Sequence, residues 1–230
     1  MAIALWYCPY PGSGTYETLE ILISSLQTVF PNSPIFEPHI TITSNLLVNS
    51  QDDVNKILTS CVAAIQSIKP KYLESLRNDP INNQLITFDK CCIGKQFFNK
   101  IILQCTESSY LYGIARIMRE LFVEMEDNGK RASDWLQNEF RPHLSLLYSE
   151  TSPISKAHTR IIQQRIEDAL DVQMVHDSST PIIPSESHSI QEKWRFQGSP
   201  LISWGLPGTF KIVNCVGPVD KWQVLGRADV

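Results

Sequence analysis

The chain has 230 residues, of which 43% are hydrophobic and 19% are charged. A chain of this length and composition buries a sizeable core, which argues against a cross-linked miniprotein or a disordered protein. The formal net charge of −4 offers no general attraction to a long polyanion. We therefore expect no long nucleic acid as a partner, whereas a small nucleotide is compatible with the charge.

The N-terminus has no basic stretch and reaches Pro9 and Pro11 before the apolar core of a signal peptide could form. No run approaches the about 18 apolar residues that a membrane span needs. Six cysteines are scattered without C-x-x-C spacing, which predicts buried thiols in place of a zinc or redox motif. We expect a cytoplasmic monomer.

The first half of the chain alternates predicted strands with predicted helices. Apolar residues at helical spacing mark the helices, and Pro70 is expected to end the second one. The elements are strands at 3–8 and 38–43 and helices at 15–30 and 51–68.

The second half continues the alternation and ends in short strands. The elements are strands at 84–89 and 99–106, a helix at 110–125, a strand at 143–148, a helix at 155–170, a polar loop at 176–188, and strands at 189–196, 209–216 and 222–225. This order favours an α+β protein with mostly antiparallel sheets flanked by helices over a Rossmann fold.

An internal repeat is the most informative feature of the sequence. Residues 38–42 read Pro-His-Ile-Thr-Ile and residues 142–146 read Pro-His-Leu-Ser-Leu, in a chain with five histidines. Side chains alternate along an extended strand, so His39 and Thr41 share one face, as do His143 and Ser145. The intervening aliphatic residues face the core. If the two halves are related by an approximate two-fold axis, the two strands would face each other across a cleft.

Two imidazoles and two hydroxyls suit the hydrolysis of a cyclic phosphodiester. One histidine would take a proton from water and the other would protonate the departing ribose oxygen, because the ordinary pKa of histidine is about 6.5. Thr41 and Ser145 would hydrogen-bond the non-bridging phosphoryl oxygens. Metal ligation by His39 and His143 is the weaker alternative, because hydroxyls are poor ligands for zinc or iron. We expect no metal or other cofactor.

The paired motifs resemble those of the two-histidine phosphoesterase superfamily, and in particular the fungal and plant 2′,3′-cyclic-nucleotide 3′-phosphodiesterases. Trp6 in the first strand, the lead from Phe36 to His39, and Tyr148 five residues after His143 support the narrower match. The resemblance implies a single catalytic domain over residues 1–230, with two lobes, a pseudo-two-fold axis and a central cleft. It also implies ADP-ribose 1″,2″-cyclic phosphate, formed downstream of tRNA splicing, as a substrate.

The resemblance also implies roles for six residues. His39 and His143 match the catalytic histidines, and Thr41 and Ser145 match the phosphate-binding hydroxyls. Tyr148 matches a substrate-side aromatic, although strict alternation places it opposite His143 unless the strand ends or bulges near Leu147. Trp6 is either a further substrate-side aromatic or a core residue.

Two other functions remain open at this point. One is a phosphodiesterase for RNA ends or 2′-5′ linkages, which would prefer oligonucleotides, and the acidic net charge argues mildly against it. The other is a non-catalytic nucleotide-binding module. Which histidine is the base is not fixed by the symmetrical motifs.

Overall fold

The computed structural model describes residues 3–126, 129–178 and 190–230, and within these ranges strands and helices alternate along most of the chain. The strands are β1 (Ile3–Pro9), β2 (Ile40–Ser44), β3 (Phe88–Gly94), β4 (Ile101–Cys105), β5 (His143–Leu147), β6 (Gln173–His176), β7 (Ile190–Gln197), β8 (Gly208–Asn214) and β9 (Gln223–Asp229). The helices are α1 (Gly14–Val29), α2 (Gln51–Asn78), α3 (Ser109–Phe122), α4 (Lys130–Asn138) and α5 (Lys156–Leu170).

The strands form one sheet in the order β6-β7-β3-β4-β5-β2-β1-β8-β9, and the neighbouring strands pair antiparallel. The prediction of an α+β protein built on antiparallel strands is therefore confirmed. Two runs of strands meet at the pairing of β5 with β2. A division into two lobes at that line stays a prediction.

The two strands that carry the repeated motifs are neighbours in the centre of this sheet. β2 and β5 pair antiparallel, with Ile40 opposite Leu144. The expectation that the motif strands face each other across a cleft is thus wrong, because they lie side by side and share one sheet face. The pairing brings the motifs together without requiring two separate sheets.

The aliphatic residues of the motifs lie in the main hydrophobic core, as their alternation predicts. Ile40, Ile42, Leu144 and Leu146 are all fully buried there. Helix α1 contacts β5 and helix α3 contacts β2, so helices cover this part of the sheet. Burial of these side chains fixes the strand register, because a slip by one residue would turn the histidines into the core.

Several predicted boundaries were wrong. Helix α2 continues through Pro70 to Asn78, because buried Tyr72 anchors the turn that follows the proline. Strand β3 begins at Phe88, so the predicted strand at 84–89 lies too early and the Cys91–Cys92 pair is inside the strand. Helix α4 and strand β6 were not predicted. The loop predicted at 176–188 falls largely outside the described residues.

All six cysteines are free and buried, as their spacing predicts. Among the helices that the structure describes, none combines the length and apolar character that a membrane crossing requires.

Candidate active site

The register of β2 and β5 sets the arrangement of the four motif side chains. Because Ile40 pairs with Leu144 in an antiparallel ladder, His39 lies across from Ser145 and Thr41 lies across from His143. Cross-strand neighbours point to the same sheet face. The two imidazoles and two hydroxyls therefore alternate around a small square, with each histidine beside the hydroxyl of the other motif.

This square belongs to a longer row of side chains across the sheet. Trp6 of β1 is the cross-strand partner of Thr41 on one side and of Lys211 on the other. On the far side of the square, His143 pairs with Gln104 of β4. The sheet therefore places an indole and an ammonium group on the same face as the motif residues.

Both histidines are oriented by the same backbone contact. Nδ1 of His39 lies 2.6 Å from the carbonyl oxygen of Glu37, and Nδ1 of His143 lies 2.8 Å from the carbonyl oxygen of Arg141. A carbonyl oxygen only accepts hydrogen bonds, so Nδ1 must carry the proton and donate it. Nε2 of each neutral ring is then the basic nitrogen, and Nε2–H of each protonated ring is a donor.

The local sequence explains these contacts. A proline stands between each histidine and the carbonyl that it binds, and proline restricts the preceding residue to extended backbone. The repeat also extends upstream of the prolines: Phe36 and Phe140 occupy equivalent positions three residues before the histidines, and both are buried. This longer repeat was visible in the sequence but was not part of the predicted motif.

The two histidines have different electrostatic surroundings. Burial lowers the pKa of His39 to about 4. The hydrogen bond that Nδ1 donates to the Glu37 carbonyl oxygen opposes this shift, and the charges of His143 and Lys211 add to it. Burial also lowers the pKa of His143, again opposed by its backbone hydrogen bond. Lys211 itself is buried and forms an ion pair with the carboxylate of Glu37, which also accepts a hydrogen bond from Tyr16.

Trp6 packs directly on the first histidine. Its indole lies 3.6 Å from the imidazole of His39 between ring centroids, with the planes inclined by 11°. Trp6 is 5% exposed and forms a small apolar cluster with residues of β1 and β8, against which Trp222 packs. Trp6 is therefore a buried core residue that contacts His39, and a role for it in substrate binding stays a prediction.

Tyr148 reaches the same region because the strand pattern breaks before it. β5 ends at Leu147, and its register with β4 shifts at this end. The ring of Tyr148 stacks on Phe36 with centroids 3.9 Å apart, and Phe36 in turn meets His39 edge-on. Burial raises the pKa of the Tyr148 hydroxyl, while a hydrogen bond with Ser145 acts in the opposite direction.

The loop between β3 and β4, residues 95–100, lies against this end of β5. The Ser145 hydroxyl donates to the carbonyl oxygen of Phe98 at 3.2 Å, and the Ser149 amide donates to that of Phe97 at 3.2 Å. The buried ammonium group of Lys100 donates to the carbonyl oxygen of Lys95 and ties the loop ends together. Any phosphate oxygen that binds Ser145 must replace the Phe98 carbonyl as its acceptor.

The profile of the family described as cyclic phosphodiesterase-like protein matches residues 1–230, which is the whole chain. This chain belongs to the cyclic phosphodiesterase-like family. The predicted resemblance is thereby confirmed at the level of the family. Full-length relatives named 2′,3′-cyclic-nucleotide 3′-phosphodiesterase include those of Saccharomyces cerevisiae, 53% identical, Kluyveromyces lactis, 43% identical, and Eremothecium gossypii, 41% identical. Each alignment covers 100% of this chain and at least 99% of the relative.

In this member of the cyclic phosphodiesterase-like family, all six residues predicted from the sequence lie in one region. They are Trp6, His39, Thr41, His143, Ser145 and Tyr148. In the described ranges, no group of three or more histidine, cysteine or carboxylate side chains has the geometry of a metal site. The arrangement offers a proton acceptor, a proton donor and two hydroxyl donors on one face. Sequence reasoning missed Lys211, Phe98 and Trp222, which come from distant segments.

Proposed function

We propose that this protein hydrolyses 2′,3′-cyclic nucleotide phosphates to 2′-phosphomonoesters, with His39 and His143 as the acid and base. The observation that carries the proposal is the pairing of the two motifs on one sheet face, with Nδ1 of both histidines bound to backbone and Nε2 of both left for the substrate. The names of the full-length relatives support the same substrate class.

The reaction requires two proton transfers at opposite sides of the phosphorus. Nε2 of a neutral imidazole accepts a proton from water as the water oxygen bonds to phosphorus. Nε2–H of a protonated imidazole gives its proton to O3′ as the bond between phosphorus and O3′ breaks. The product keeps its phosphate on O2′ and gains a 3′-hydroxyl. Proton exchange with solvent then restores both rings.

The surroundings of the histidines favour one assignment of these roles. A bound phosphodiester carries a negative charge and favours the protonated form of a nearby imidazole. Burial opposes protonation of His39 most strongly, and the charges of His143 and Lys211 act in the same direction. His143 is therefore the imidazole that takes up the proton and acts as the acid, and His39 stays neutral and acts as the base.

Thr41 and Ser145 bind the non-bridging phosphoryl oxygens in this proposal. Each hydroxyl lies beside the histidine of the opposite motif, so a phosphorus atom above the square lies within reach of both pairs. Hydroxyl donors fixed on strands stabilise the negative charge that develops on the phosphoryl oxygens in the transition state. Tyr148 and Trp6 support the site through Ser145 and His39.

ADP-ribose 1″,2″-cyclic phosphate is proposed as a second substrate, which links the protein to tRNA splicing metabolism. Its reacting group is the same five-membered cyclic phosphate on a ribose ring. The acid, the base and the two hydroxyls act on that group alone, so the same residues serve both substrates. The expected product is the 1″-phosphate.

The test is an assay with 2′,3′-cyclic AMP in the presence of a chelator, with the 2′- and 3′-monophosphates separated by chromatography. We expect only 2′-AMP, and loss of product in His39→Ala and His143→Ala proteins that remain folded by circular dichroism. Full activity in either variant would contradict the proposal. Turnover of oligonucleotides in preference to the mononucleotide would favour an RNA-end enzyme, and binding without product would favour a non-catalytic module.

A further inference from the structure

The two histidines differ in how the backbone around them is supported. Strand β5 begins at His143 itself, which pairs with Gln104 of β4. The amide of Cys105 also donates to the carbonyl oxygen of Pro142 at 3.0 Å. The sheet ladder therefore reaches the peptide next to the carbonyl of Arg141, which holds Nδ1 of His143.

The first histidine lies outside the strand of its own motif. Strand β2 begins at Ile40, and His39 is the last residue of the irregular segment 34–39. The Glu37 carbonyl oxygen that holds Nδ1 of His39 belongs to this segment. The position of this carbonyl therefore depends on contacts other than those of the ladder.

The side chain of Glu37 makes such contacts with two other elements. Its carboxylate forms an ion pair with Lys211 of β8 and accepts a hydrogen bond from the Tyr16 hydroxyl of α1 at 3.3 Å. The side chains of Glu37 and Lys211 are 21% and 10% exposed, so little water competes for the pair. Burial and the charge of Glu37 raise the pKa of Tyr16, which keeps its hydroxyl protonated as a donor. A helix and a strand are thus joined to the residue whose carbonyl orients His39.

The equivalent residue of the second motif uses its side chain differently. The Arg141 guanidinium donates to the carbonyl oxygens of Phe140 at 2.9 Å and Gln137 at 3.3 Å, which lie one and four residues earlier in the chain. These hydrogen bonds are local, whereas Glu37 reaches Lys211, 174 positions away. The longer anchor thus occurs in the motif whose histidine lies before its strand.

We infer that Glu37 is a positioning residue for the general base, because its carboxylate fixes the peptide whose carbonyl oxygen orients His39. The inference rests on the proposed function, since His39 acts as a base in that reaction. The bound carbonyl selects the Nδ1–H tautomer and leaves the lone pair of Nε2 for the proton of water. When the Glu37 peptide shifts, the ring also adopts the Nε2–H tautomer, and Nε2 then has no lone pair for that proton.

The first measurement is the ring tautomer in the substrate-free protein, labelled with nitrogen-15 at its histidines. The NMR shifts of the ring nitrogens distinguish a protonated nitrogen from a bare one, and His39→Gln identifies the His39 signals. In the parent protein at neutral pH, we expect the Nδ1–H tautomer for both His39 and His143. In Glu37→Ala, we expect His39 to populate both tautomers, while His143 keeps the parent spectrum as an internal reference.

Steady-state kinetics on 2′,3′-cyclic AMP give the second measurement. Glu37→Ala is expected to lower kcat about 10- to 100-fold, as for a misplaced general base, with KM within about threefold of the parent. Glu37→Gln keeps a carbonyl acceptor at the same length for Tyr16 and Lys211, so it is expected to recover most of this loss.

Two further variants separate positioning from stability. Glu37→Ala leaves the buried ammonium group of Lys211 unpaired, so the combination of Glu37→Ala with Lys211→Met removes both members of the ion pair. We expect this double variant to show the same mixture of His39 tautomers and a fall in kcat of the same range. Arg141→Ala is the matched control in the second motif and is expected to keep the Nδ1–H tautomer at His143.

An unchanged His39 tautomer in the double variant, with or without a fall in kcat, would overturn the inference. Mixed tautomers at both histidines would also overturn it, because they would indicate a general loosening of the site. If the parent protein does not hydrolyse cyclic AMP while the His39 tautomer still responds to Glu37, the proposed function fails and the orientation of the ring by Glu37 stands.

Discussion

The indole of Trp6 covers one face of the His39 imidazole, with the two planes inclined by only 11°. The stack follows from the sheet, because Trp6 is the cross-strand partner of Thr41, two residues beyond His39. A ring held between an aromatic plane and a backbone hydrogen bond from Nδ1 has little rotational freedom. Burial of the imidazole is the main cause of its lowered pKa, and the indole covers one of its faces.

The first prediction concerns this stack. Trp6→Leu is expected to lower kcat about tenfold, because His39 loses part of its orientation. General-base catalysis contributes about 10² to 10⁴ to the rate, and a misoriented imidazole keeps only part of that contribution. Trp6→Phe keeps a flat aromatic face and is expected to retain most of the activity. Steady-state kinetics on 2′,3′-cyclic AMP measure the effect. Equal activity of the leucine variant and the parent would show that the stack has no part in turnover.

The second prediction concerns Lys211 and the pH dependence of kcat/KM. The acidic limb of this profile reports the pKa of the base in the free enzyme, and that of His39 is about 4. Lys211 lowers this pKa, so Lys211→Met is expected to move the acidic limb to higher pH. The unpaired Glu37 carboxylate would act in the same direction, since a negative charge favours protonated imidazole.

Lys211→Arg is the matched control for this measurement. The guanidinium keeps the positive charge and the partner for Glu37, so the acidic limb is expected to stay near that of the parent. A limb that does not move in Lys211→Met would show that the charge of Lys211 does not set the pKa of the base. A limb that moves equally in both variants would indicate that packing, and not charge, sets the pKa.

The third prediction concerns stability at acid pH. Above about pH 6.5, His39 is neutral in the folded and the unfolded protein. As the pH falls from about 6.5 to about 4, the unfolded chain binds a proton that the folded protein does not, so the free energy of unfolding decreases. His39 accounts for a decrease of about 3 kcal/mol in the free energy of unfolding over this pH range. The His39→Gln variant lacks the imidazole and is expected to lack this decrease.

Urea unfolding of the parent and His39→Gln at several pH values between 7 and 4 measures this difference. We expect the free energy of unfolding to fall more steeply with decreasing pH in the parent protein than in the variant. His143→Gln is expected to differ from the parent in the same direction, because the pKa of His143 is also lowered. Parallel curves for all three proteins would show that neither histidine is desolvated in the folded state.

The local repeat made the centre of the site predictable from sequence. Each motif contains its own histidine and hydroxyl, and strand alternation alone places both on one face while Ile40 and Leu144 enter the core. The wrong detail was how the two strands meet. Their hydrogen-bonded pairing depends on the order of all nine strands, which short-range patterns do not contain.

The outer parts of the site could not be predicted for a related reason. Lys211 reaches His39 through β8 and β1, and more than 170 positions separate the two residues along the chain. Phe98 and Trp222 come from connections whose positions depend on hydrogen bonds such as that from Ser145 to Phe98. Pro70 misled the helix prediction, because tertiary burial of Tyr72 outweighs the one backbone hydrogen bond that a proline removes.

The fourth prediction concerns the two hydroxyls. Thr41→Val keeps the shape of the side chain and removes only its donor, so kcat is expected to fall about 10²-fold, as for loss of one donor to a charged transition state. Thr41→Ser restores the hydroxyl and is expected to recover most of this loss. Ser145→Ala should cause a fall of similar size. In the parent protein, the Ser145 hydroxyl must first leave the carbonyl oxygen of Phe98 before it can bind the phosphate.

The double variant Thr41→Val with Ser145→Ala tests whether the hydroxyls act on the same phosphoryl group. Residues that stabilise one transition state together lose less in combination than the product of their separate effects, because each depends on the other to hold the phosphate. We therefore expect the double variant to retain more activity than that product, measured as kcat under saturating 2′,3′-cyclic AMP. Fully multiplicative losses would show that the two hydroxyls contribute to the transition state independently of each other.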